Sequence, residues 1–137
     1  KYTDSFYFIT WRLHANQPSL TPEEKSLVVE VLKHFDEKRY TLFSFLIMDD
    51  HVHVLARLER GETLPKILHT WKSYSANRLQ RKFKRIGSIW QDEYFDTIVR
   101  EGQFFPYLKY ILNNPKKRWD IEEYPWVWYN KEVLEFP

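Results

Sequence analysis

Two apolar, β-prone runs, Lys38 to Met48 and His51 to Leu58, are separated only by Asp49-Asp50. Strands of this length joined by so short a polar break form a hairpin, because each then supplies the other's backbone partners. The returning strand opens on His51-Val52-His53. Residues i and i+2 of a strand point to the same side with Cα atoms ~7 Å apart, so both imidazoles can converge on one ion or phosphate. A lone strand histidine is ordinarily a core or edge residue whose hydrogen bonds are met internally. Two on one face of an apolar strand mark a candidate site.

The flanking segments predict the setting of that hairpin. Ser5 to Leu13, with Phe6, Phe8 and Trp11, reads as a first strand. Thr21-Pro22-Glu23-Glu24 opens a helix, with Thr21 as N-cap, Pro22 at the first helical position and Glu24 completing a capping box. Leu27, Val28, Val31, Leu32 and Phe35 carry that helix to about Asp36. After the hairpin, Leu64, Ile67, Leu68, Trp71, Leu79 and Phe83 trace the buried stripe of a long helix reaching Arg85. Ile89 to Arg100 reads as a strand or strand pair. A final helix spans Gln103 to Asn113, with Pro106 in its first turn and Asn114-Pro115 closing it. From about Lys116 the tail is aromatic and irregular and is expected to pack back on the domain. The order β-α-β-β-α-β plus one helix is the split βαβ arrangement of ferredoxin-like domains. The chain is therefore expected to be one α+β domain over residues 1–137, an antiparallel four- to five-stranded sheet with helices on one face and a C-terminal helix added.

With 137 residues and 43% hydrophobic content, the chain can bury a core without staples, and with no cysteine it has neither disulfides nor thiolate metal ligands. No apolar run approaches the ~20 residues that cross a bilayer, and no leader-like segment precedes the first strand, so a soluble cytoplasmic protein is expected. The net charge of +2 is unremarkable, but its distribution is not. Lys66, Lys72, Arg78, Arg81, Lys82, Lys84 and Arg85 follow one another with no acidic residue between them. Such a basic helical face is either simply solvated or holds phosphates.

Tyr110 and Asn114 stand four residues apart on the last helix and so share one face. Read alone, Tyr110 is a packed phenol and Asn114 a helix cap. The blocks together, however, resemble a known family. Phe45-Leu46-Ile47-Met48-Asp49-Asp50-His51-Val52-His53-Val54-Leu55 resembles the HUH motif (His, hydrophobic, His) of single-tyrosine transposases, especially their REP-associated relatives. Ile89 to Asp96 is similar to that family's strand block, Tyr107 to Pro115 to its nucleophile helix, and Tyr124-Pro125-Trp126 to its tail motif.

That resemblance implies a metal-dependent endonuclease and strand transferase acting on single-stranded or hairpin DNA. It implies Tyr110 as nucleophile, His51, His53 and Asn114 as ligands of Mg²⁺ or Mn²⁺, and a 5′-phosphotyrosine intermediate. Lys72, Arg78, Arg81, Lys82 and Arg85 would then contact the DNA backbone. The resemblance implies insertion-sequence members that are dimers joined through sheet edges and REP-associated members that can act as monomers, which leaves a homodimer or a monomer open. Asp49-Asp50 departs from the family's usual proline and neutral polar residue and adds negative charge beside the site. The competing reading is a non-catalytic single-stranded nucleic-acid binding module on the same fold, although such modules carry aromatics rather than histidines on their central strands.

Overall fold

A computed structural model describes residues 6–100, 102–119 and 124–132. Ser5, at the start of the expected first strand, and tail residues 120–123 and 133–137 lie outside the described residues. The elements run β1 (Phe6–Leu13), α1 (Pro22–His34), β2 (Tyr40–Ile47), β3 (His51–Leu58), α2 (Leu64–Phe83), β4 (Trp90–Val99), α3 (Phe104–Trp119) and β5 (Val127–Tyr129). The strands form one antiparallel sheet in the order β4-β1-β3-β2-β5, which leaves the two-histidine strand at its centre. The ferredoxin-like expectation holds, and Ile89 to Arg100 contributes a single strand.

The period of two along β3 divides the molecule. Val52, Val54, Ala56 and Leu58 point into a core shared with α1 and α2, where Trp11, Tyr40 and Trp71 pack together. Leu55 points the other way, into a second core with Phe8, Phe43, Leu46, Leu108 and Ile111 that seats α3. His51 and His53 share this second face. Helix α1 starts at the expected capping box, the Thr21 side chain accepting from Glu24 N–H and the Glu24 carboxylate from Thr21 N–H.

Two expectations are revised. Helix α3 does not close at Asn114-Pro115 but continues to Trp119. Proline removes one rung of the hydrogen-bond ladder and crowds the preceding turn, but its fixed φ is itself helical, and the helix continues past it. The tail is not wholly irregular, since Val127–Tyr129 adds β5 to the edge of β2, with Phe45 opposite Trp128. The Tyr124 hydroxyl donates to Ile47 O at 2.7 Å, and Lys25, bonded to Asp49 at 2.6 Å, lies over the Tyr124 and Trp126 rings, tying tail, helix and hairpin turn together.

Arg85 is taken up in joining the helices. Just past α2, which ends on Lys84 in the left-handed region, its guanidinium donates to both Glu24 carboxylate oxygens at 2.5 and 2.7 Å and to Gln17 Oε1, Pro18 O and Ser19 O. All five of its N–H donors are thereby used, and the paired side chains are 6% and 3% exposed. Arg85 therefore locks α2 to α1, with its guanidinium donors engaged inside the fold. Burial alone would raise the Glu24 carboxyl, but the bonds from Arg85 and Thr21 outweigh it and hold it below its ordinary range. Arg85→Ala is expected to cost about 3–5 kcal/mol in urea unfolding, because it strands a buried carboxylate. Because the folded-state pKa of Glu24 is depressed, the pair's stabilisation is present above the unfolded carboxyl value and disappears as pH falls through the folded one. Glu24→Gln should lack that part of the acid limb, and an unaltered limb would overturn the assignment.

Candidate active site

Antiparallel pairing of β1 with β3 sets Thr10 opposite His53 and Arg12 opposite His51, while β4 places Phe95 on the other side of Thr10. Strand alternation turns Phe8, Thr10 and Arg12 to the face that carries the histidines. The His51 and His53 rings lie edge to face with centroids 4.8 Å apart. His51 Nδ1 is 2.7 Å from Asp50 Oδ1, and His53 Nδ1 is 2.7 Å from Thr10 Oγ1. Phe8 stacks on the His53 ring at 5.4 Å, and Tyr110 meets it edge-on at 5.6 Å.

Helix α3 brings Tyr110 there because Leu108 and Ile111 anchor its opposite side in the second core. The Tyr110 side chain is 49% exposed, so the hydroxyl-bearing ring sits beside the histidine pair and open to solvent at once. Tyr107, one turn earlier, stacks instead on Phe8 at 4.8 Å. Asn114 lies one turn beyond Tyr110 and is half-buried. A cleft of about 650 Å³ opens between α3 and the β1–β4 side of the sheet, lined among others by Thr10, Arg12, His53, Phe95, Tyr107 and Tyr110.

His53 is only 4% exposed, and its Nε2 is buried without a hydrogen-bond partner. Burial first, then the neighbouring His51 and Arg12, pushes its pKa down to about 3, which keeps the ring neutral. A neutral imidazole with one nitrogen unspent is suited to bind a divalent cation. Among the described residues no cluster of three His, Cys, Asp or Glu side chains occurs. Any ion held by the two imidazoles must therefore complete its shell from other groups, such as a carboxamide oxygen or water.

The model of the IS200-like transposase family matches residues 1–114, a span that takes in both histidines, Tyr110 and Asn114. The chain belongs to the IS200-like transposase family. Among solved structures it is similar to a REP-associated tyrosine transposase bound to a REP hairpin, with a TM-score of 0.75 at 15% identity, covering 98% of this chain and 84% of that one. It is also similar to a protein of Deinococcus radiodurans R1 described as a transposase, with a TM-score of 0.61 at 23% identity, covering 79% of this chain and 88% of that one. No curated protein matches the sequence significantly. Among the described residues no helix is long and apolar enough to cross a membrane.

In this family member the expected site splits in two. His51, His53 and Tyr110 come together, and Asn114 follows on the same helix. The basic residues of α2 lie behind the sheet, because α2 packs on the face opposite α3. Arg78, Arg81 and Lys82 are exposed there. Lys72 is not a free cation, since its ammonium donates to Gln91 O at 2.6 Å and Asp92 O at 3.1 Å and so fastens α2 to β4. Sequence reasoning passed over Thr10 and Arg12, whose one local signal is that they alternate with Phe8 along β1. In metal-free protein the His53 ring resonances are expected to stay at neutral-form shifts from pH 8 to about pH 4, because the folded pKa lies below the unfolded one. Native-state stability should correspondingly fall as pH drops below about 6.5. Titration of His53 near its ordinary value would contradict its burial.

Proposed function

We propose that the protein is a single-strand DNA endonuclease and strand transferase that cuts at hairpin or repeat ends through a covalent tyrosine intermediate. The observation that carries this reading is the solvent-open Tyr110 ring lying 5.6 Å from the ring of the neutral, buried His53. His51 and His53, with the Asn114 carboxamide, would hold Mg²⁺ or Mn²⁺, and the unspent Nε2 of His53 fits that role. When bound, such a cation supplies a Lewis acid at the scissile phosphate.

Tyr110 is the nucleophile. Its phenolic oxygen gives up its proton and attacks phosphorus, the bond from phosphorus to the 3′ oxygen breaks, and that oxygen takes a proton to leave as a 3′-hydroxyl. The 5′ side remains esterified to Tyr110. Because one phosphodiester replaces another, a later 3′-hydroxyl can attack in reverse and rejoin the strand without a nucleotide cofactor. The half-exposed setting of Tyr110 admits a DNA strand, and the Phe8 and Tyr107 rings beneath it exclude water from the back of the cleft.

Arg12, exposed at the mouth of the cleft and opposite His51, is a cation placed for the phosphates of the reacting strand. Arg78, Arg81 and Lys82, behind the sheet, serve phosphates of the structured part of the DNA away from the cut. That the similar REP-associated transposase is bound to a REP hairpin supports a structured substrate.

Tyr110→Phe is expected to abolish a denaturation-resistant protein–DNA adduct formed with labelled single-stranded hairpins and Mn²⁺, while leaving binding within about twofold. Binding by the wild type with no adduct under any metal would assign the chain to the non-catalytic class instead. Arg12→Ala should weaken binding on all sequences alike and reduce the slope of log affinity against log salt by about one phosphate contact. An unchanged salt slope would remove Arg12 from the interface.

A further inference from the structure

His53 offers two nitrogens with very different surroundings. Nδ1 lies 2.7 Å from Thr10 Oγ1, whereas Nε2 is buried with no hydrogen-bond partner. A neutral imidazole has one N–H and one lone pair, so the contact has two forms. If the Thr10 hydroxyl donates to Nδ1, the hydrogen sits on Nε2 and a buried N–H has nothing to donate to, a rare and unfavourable state. If Nδ1–H donates to Thr10, Nε2 is a bare lone pair on a ring that lines the cleft.

We propose that Thr10 is a positioning residue whose hydroxyl oxygen accepts the Nδ1–H of His53 and so reserves Nε2 for a divalent cation. The assignment rests on the metal-binding role proposed above for His53. The sheet builds the contact in, since Thr10 and His53 face each other across the β1–β3 ladder, and the β-branched threonine has few alternative rotamers. The ring plane is fixed as well, by Phe8 stacked at 5.4 Å and 21° on one side and by the edges of Tyr110 and His51. At His51 the same nitrogen is occupied in a matching way, with Nδ1 2.7 Å from Asp50 Oδ1. An ionised carboxylate only accepts, so there too Nδ1 carries the hydrogen. Asp50, one of the two acidic residues that depart from the family pattern, thereby parallels Thr10. Both rings are held at the same nitrogen, one by a hydroxyl from the neighbouring strand and the other by the carboxylate beside it in sequence.

Long-range ¹H–¹⁵N correlation spectra of the metal-free wild type are expected to show His53 as the Nδ1–H tautomer. Thr10→Val, which keeps the branched shape and removes the acceptor, should lose that fixed tautomer and bind Mn²⁺ about 10- to 100-fold more weakly by calorimetry, with Thr10→Ser restoring both. An Nε2–H tautomer in the wild type, or a folded Thr10→Val protein with unchanged Mn²⁺ affinity, overturns the role of Thr10. If Thr10→Val does not fold, the wild-type tautomer and the Thr10→Ser titration decide it. Failure of the wild type to bind Mn²⁺ would remove the metal-binding reading of the histidines, and the tautomer spectrum would still decide which way the Thr10 hydrogen bond runs.

Discussion

The register of β1 against β3 is the constraint on which the rest of this molecule depends. It sets Thr10 against His53 and Arg12 against His51, and through β4 it sets Phe95 beside Thr10. A slip of one residue would turn the histidines into the helical core and Val52 and Val54 out toward α3. The alternation of β3 prevents that slip, because burying two imidazoles among Trp11, Tyr40 and Trp71 would leave their nitrogens without partners. The hydrophobic pattern that folds the sheet therefore also aims the site.

A two-faced sheet separates stability from chemistry. The larger core lies under α1 and α2, locked by the buried pair of Arg85 and Glu24 and by Lys72 bridging to β4. The smaller core lies under α3, and its purpose is to hold one helix at a fixed height above the histidines. This division explains why the basic run of α2 does not line the cleft. Two of its cations are consumed in joining elements, and the exposed ones face away from the reacting centre. Among the described residues, the basic groups that line the cleft are Arg12 and His53, whose imidazole is kept uncharged by burial.

Most of the elements could be read from the chain because their signals are short-ranged. Thr21 and Glu24 cap a helix by contacts three residues apart, and the hairpin follows from two apolar runs with a two-residue break. Two elements depart from their local signals for physical reasons. Pro115 looks like a stop because it lacks an N–H, yet the helix runs on past it. Strand β5 has three residues, too few to show an alternation, and exists only because the edge of β2 offers it partners.

The sequence by itself determined the order of elements, the placing of two histidines on one strand face and the spacing of Tyr110 and Asn114 along a helix, since all of these follow from periods of 2 and 3.6 residues. Only the tertiary structure decided what meets what. It brought Tyr110 to His53 across 57 positions of chain, chose Thr10 and Arg12 as their neighbours, and took Arg85 and Lys72 out of the set of free cations. The reason is that a side chain's period is written in its own segment, whereas its partner and its burial are properties of how separate segments pack.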